Sequence, residues 1–128
     1  HANLRPQLAF ELGHIEMRNR HIETELWSQV GVSWVNGPIV GAMGLFKQIP
    51  AAKEASDVNV NNYYERIDRE LGESAYIAGD RFTIVDITLL TAVDFATSLV
   101  GLKPAESLEN LWRWHALVCE RESVDVQA

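Results

Sequence analysis

From Ile84 to Val100 the chain is apolar nearly all round, with Val85, Ile87, Leu89, Leu90, Val93, Phe95 and Leu99 distributed over every side of a helix. A helix without a polar face belongs inside a domain with other helices wrapped around it. Asp86 and Asp94 are the exceptions. A carboxylate in such a place needs hydrogen-bonding partners, and for Asp94 the candidates are Arg113, His115 or backbone.

The start of this segment carries its own device. In Phe82-Thr83-Ile84-Val85-Asp86-Ile87, Thr83 stands at the N-cap. Its hydroxyl can accept from the Asp86 N–H, while the Asp86 carboxylate reaches back to the Thr83 N–H. Phe82 and Ile87 occupy the positions of a hydrophobic staple. Asp86 also sits at the positive end of the helix dipole. Losing the cap of a water-free helix should cost about 1–2 kcal/mol. The spacing accounts for Thr83 and Asp86 as a capping box, with no need for a catalytic role.

Three further helices are expected around this one. The first runs from about Gln7 to Val35. At about 100° per residue, Ile15, Ile22, Leu26 and Val30 form its core stripe. The opposite stripe, Glu16, Arg20, Thr24, Trp27, Gly31 and Trp34, mixes polar groups with two tryptophans and a glycine. A simple surface helix would not place both tryptophans there. Either the helix packs on two sides or this face borders a pocket.

Asn36-Gly37-Pro38 ends that helix. An irregular stretch to about Glu54 follows, with one short turn around Leu45–Gln48. A second helix is expected from Ser56 or Asp57, either of which can cap it, to Gly72. Its core face is Val60, Tyr63, Tyr64, Ile67 and Leu71. The last helix runs from about Ser107 to Glu122, with Leu108, Leu111, Trp112, His115 and Val118 on one face. No alternating strand pattern occurs. The expectation is one all-α domain over residues 1–128, a helical bundle around a buried central helix.

The remaining chemistry narrows the function classes. The 128 residues carry a net charge of −7, which argues against nucleic acid and against an anionic membrane surface. No apolar stretch is long enough to span a bilayer. Cys119 is the single cysteine; it excludes an internal disulfide, fits a small core residue and agrees with a cytoplasmic location. His14, His21 and Glu25 include i,i+4 and i,i+7 pairs, but no His-Glu-x-x-His is present and no metal site is assigned. Gly41-x-x-Gly44 lacks the following Lys-Ser/Thr of a phosphate loop.

The string from Tyr76 through Thr83 to Ile87 resembles the capping-box and staple motif of the glutathione transferase C-terminal domain. Thr88 to Ala96 is similar to the core helix of bacterial members. Arg66 to Leu71 and Leu111-Trp112-Arg113-Trp114-His115 extend the likeness over most of residues 56–122. Arg18 to Glu23 resembles the family's first C-domain helix more loosely. Two positions depart. Arg121-Glu122-Ser123 replaces the usual Arg-Pro-Ser, so the last helix is expected to run on, and Val85 replaces the usual alanine.

The resemblance implies a domain that lines the pocket for a small apolar electrophile through Arg20, Thr24, Trp27, Gly31 and Trp34. The competing reading is that the tryptophans pack against the last helix or a dimer mate. It further implies glutathione as co-substrate, bound by a thioredoxin-like N-terminal domain that this chain lacks. The chain alone is then expected to be inactive, to bind no cofactor, and to form a homodimer through the face that domain would cover. The alternative is a non-enzymatic protein–protein interaction module of the same fold.

Overall fold

The computed structural model describes the backbone of residues 4–127 and the side chains of residues 7–121. Helix α1 (Leu4–His21) passes through one π-helical turn (Ile22–Trp27) into α2 (Ser28–Val35), giving one long rod. Then follow α3 (Pro38–Met43), α4 (Pro50–Leu71) and α5 (Ile84–Phe95), which a second π turn (Ala96–Val100) extends, and α6 (Glu109–Gln127). Among the described residues there is no strand, only an isolated bridge between Tyr76 and Gly79. The fold is all-α.

The middle of the chain is more regular than expected from its glycines and prolines. Pro38 and Pro50 each stand at a helix start, where the missing N–H is one the helix would leave unpaired anyway. Helix α4 therefore begins at Pro50, not at Ser56 or Asp57. Ser56 is buried within it, and Asp57 pairs with Lys53. Residues 45–48 form no helical turn. That loop is tied down instead by side chains: Asn36 Oδ1 accepts from Ile49 N–H at 2.9 Å, and Gln48 Nε2 donates to the Val35 carbonyl at 3.0 Å. Gly37 is favoured by close approach, since a Cβ there would lie 3.0 Å from the Ser33 carbonyl oxygen. Helix α6 runs to Gln127, as the absence of a proline after Arg121 predicted.

The core joins Ile22, Leu26 and Val30 to Val60, Tyr64, Ile67 and Leu71 of α4, Val85, Leu89 and Val93 of α5, and Leu111, Trp114 and Val118 of α6. Trp114 is among the largest fully buried side chains. At the start of α5 the box bonds in both directions. Asp86 accepts from Thr83 N–H at 2.9 Å, and the Thr83 hydroxyl accepts from Val85 N–H at 3.3 Å. The Asp86 carboxylate, 0% exposed, also accepts from Ile77 N–H at 3.1 Å and from Trp114 Nε1–H at 2.8 Å. Three N–H donors thus hold one buried charge, joining the preceding loop, α5 and α6. Phe82 meets Tyr76 edge-on, with ring centroids 6.1 Å apart, and lies beneath the Arg121 guanidinium.

Helix α5 differs from expectation in one respect: it is not covered on every side. Ile84 is 57% exposed and Ile87 is 37% exposed, and Thr91 and Asp94 continue the same open stripe. Apolar side chains all round a helix say that it wants cover, not that its own chain supplies all of it.

Candidate ligand-binding face

The two tryptophans of the first rod converge on α5. Trp27 closes the π turn, and Trp34 lies two turns further along α2. Both are half-buried, and both meet Phe95, the last residue of α5. The Trp27 and Phe95 ring centroids are 5.6 Å apart at 51°; those of Trp34 and Phe95 are 5.4 Å apart at 71°. Tilted and edge-on contacts of this kind suit the quadrupoles of the rings. Gly31 sits between the tryptophans, and a Cβ on it would meet nothing within 4 Å. An open space therefore lies beside an aromatic cluster.

Each helix interrupts its α geometry with a π turn at this end, Ile22–Trp27 in the first rod and Ala96–Val100 after Phe95. A π turn inserts an extra residue into the register. The regular stripe read from Arg20 to Trp34 is therefore broken between Thr24 and Trp27. Arg20 is exposed and ion-paired with Glu16 at 2.8 Å. The Thr24 hydroxyl donates to the Arg20 carbonyl at 2.9 Å. The structure brings Trp27 and Trp34 together on Phe95, with Gly31 between them along the helix, and leaves Arg20 and Thr24 bonded within their own helix.

Beneath Trp34 a polar network joins α2 to α4. The buried Ser33 hydroxyl donates to Asp57 at 2.5 Å, and Lys53 Nζ reaches Asp57 at 2.8 Å and Ser33 at 3.2 Å. Next to it a crevice of about 10 Å³ is lined by Ser33, Trp34, Pro38, Lys53, Leu99 and Val100, room for about one water. Phe95 and Ser33 were missed in the sequence: Phe95 read as one more core residue, and nothing local marks Ser33. A larger hollow of about 530 Å³ lies on the surface elsewhere, between Lys103, Glu106, Glu109, Trp112 and Arg113.

The other singled-out residues fall apart or pair off. Glu25 is held by Arg66 at 2.6 Å, which separates it from a metal role with His14 and His21. Arg66 also lies over Tyr63, 4.9 Å from the ring centroid. Burial pushes the Tyr63 phenol up to about 12, against the opposing pull of the Arg66 charge. Asp94 finds His115, at 2.7 Å, while Arg113 donates to the Leu71 carbonyl. Asp94 is exposed, contrary to the buried setting its helix suggested.

The comparison with known proteins agrees with the architecture. The family "Glutathione S-transferase, C-terminal domain" matches residues 34–122. Glutathione S-transferase 2 of Saccharomyces cerevisiae is 31% identical over 116 residues, covering 89% of this chain and 49% of the relative. Among solved structures, Gtt2 from Saccharomyces cerevisiae is 29% identical with a TM-score of 0.79, over 91% of this chain and 56% of that one. A glutathione S-transferase domain-containing protein of Marinobacter aquaeolei is 26% identical with a TM-score of 0.76, over 91% and 57%. The chain belongs to the glutathione S-transferase C-terminal domain family. It spans about half the length of the curated relative it matches.

Proposed function

We propose that this chain is the helical half of a glutathione-conjugating enzyme, with Trp27, Gly31, Trp34 and Phe95 as the floor of the pocket for a small apolar electrophile. Arg20 and Thr24, expected beside them, are bonded within their own helix and are left out of that floor. The observation that carries the reading is the aromatic cluster with open space over Gly31. Aromatic faces bind a flat or apolar ligand, and a residue without a side chain leaves room for it.

A thioredoxin-like domain would bind glutathione and lower the pKa of its thiol. The thiolate then attacks the electrophilic carbon, a C–S bond forms, and the leaving group departs with its electron pair. The open stripe of Ile84 and Ile87 is a suitable seat for that domain. The exposed Leu8, Phe10, Leu12 and Met17 of α1 are suited to a homodimer contact.

The test is steady-state conjugation of glutathione to a chlorinated dinitrobenzene by the protein that contains this chain. Trp27→Ala is expected to raise KM for the aryl chloride roughly tenfold, a loss of about 1.4 kcal/mol, with KM for glutathione unchanged. An unchanged aryl chloride KM removes the pocket assignment. No turnover in the parent protein favours the interaction-module alternative.

A further inference from the structure

Three side chains of metal-binding type meet where α5 packs on α6. Asp94 extends from the open stripe of α5, while His115 and Cys119 are one turn apart on α6 and project from the same side. One ligand atom from each lies within 4.8 Å of the others. The His115 ring stands between its two neighbours: Nε2 is 2.7 Å from Asp94 Oδ1, and Nδ1 is 3.7 Å from Cys119 Sγ.

This arrangement fixes a tautomer. An ionised carboxylate only accepts, so Nε2 must carry the proton it gives to Asp94. In the neutral ring Nδ1 then presents its lone pair toward the sulfur. A tetrahedral zinc-type ion with bonds of about 2.0–2.1 Å to nitrogen and about 2.3 Å to sulfur holds those two atoms roughly 3.5 Å apart. The Nδ1 to Sγ separation is already close to that edge. A carboxylate on the far nitrogen is the usual companion of a metal-bound imidazole, orienting the ring and raising its basicity. Trp112 and Trp114 meet the same ring, with centroids 5.2 and 6.4 Å away, and so restrict its rotation.

We infer that His115 Nδ1 and Cys119 Sγ form a binding site for a thiophilic divalent ion of the zinc and cadmium class, with Asp94 as the positioning residue for the imidazole. The donor set selects this class: thiolate and imidazole suit zinc-type ions, while magnesium and calcium take oxygen. On binding, the thiol proton passes to solvent, and water fills the remaining coordination positions. The ion would sit at the α5–α6 crossing, beside the exposed Asp94.

The experiment adds cobalt(II) as the spectroscopic probe, and cadmium(II) by calorimetry, to the tag-free, metal-stripped protein. The expected result is one ion per chain, with a thiolate-to-cobalt charge-transfer band. That band should vanish in Cys119→Ser and in His115→Phe, the latter chosen to keep a ring between the indoles. Asp94→Asn should weaken binding by about 10-fold or more, with the helical circular-dichroism signal intact in every variant. No thiolate band in the parent protein, or a band that survives His115→Phe, overturns the site. Unchanged affinity in Asp94→Asn overturns the positioning role.

Discussion

Helix α5 carries an aspartate near each end, and the two live in opposite worlds. Asp86 is fully buried and accepts from three N–H groups drawn from the preceding loop, the helix start and α6. Asp94 has a side chain 52% exposed and, among the described residues, pairs with His115. At the first end, three N–H donors from three elements converge on one carboxylate. The second end is open, with half-buried aromatic rings, two π turns and a glycine facing empty space. The same helix thus joins a closed, fully bonded end to an exposed one.

The sharpest way to break that contrast is to undo the closed end. Asp86→Ala strands three N–H donors, two of them against buried surroundings. It is expected to cost about 3–5 kcal/mol, out of about 5–15 for a whole domain. Chemical denaturation should show the midpoint collapse or the chain failing to fold. A loss below about 1 kcal/mol would mean that the carboxylate does not organise the junction.

An intermediate effect is expected from alkali, because the core contains two buried phenols. Tyr64 donates to the Leu102 carbonyl at 2.8 Å; burial raises it first and the Asp94 charge second. Tyr63 is raised from 10.0 to about 12. A phenol raised in the folded state is favoured there in its neutral form, so this stability is intact below pH 10. It drains away as pH climbs from 10 toward about 12. Unfolding midpoints followed by circular dichroism should fall across that window, and a flat profile would place these rings in water.

The smallest effect belongs to the open end. Asp94→Asn should change stability by less than about 1 kcal/mol, since exposed pairs with histidine contribute little. A large loss, read from the same denaturation curves, would erase the difference between the two aspartates.

Much of this was legible because it is local. The capping box follows from residues three apart, and the core face of α4 follows from helical periodicity; on α6 the same periodicity finds Leu111 and Val118 but passes over the buried Trp114. What decides the second half is long-range. Nothing near Asp86 names Trp114 as its third donor. Pro50 was overlooked as a helix start because Ser56 and Asp57 are better caps by residue type. The π turn has no sequence signature, so Arg20 and Thr24 were placed in one stripe with Trp27 and Trp34. Nor does an apolar helix disclose whether its cover comes from its own chain, which is why Ile84, Ile87 and Asp94 were expected inside.

The contrast between the two ends of α5 is tested most directly by the tryptophan indole N–H signals in a ¹⁵N-resolved NMR titration with an aryl electrophile analogue. The account predicts that the Trp27 and Trp34 signals move with ligand, together with the Gly31 amide, while the Trp114 signal stays fixed at its Asp86 partner. Movement concentrated at Trp112 or Trp114, with Trp27 and Trp34 silent, would contradict it.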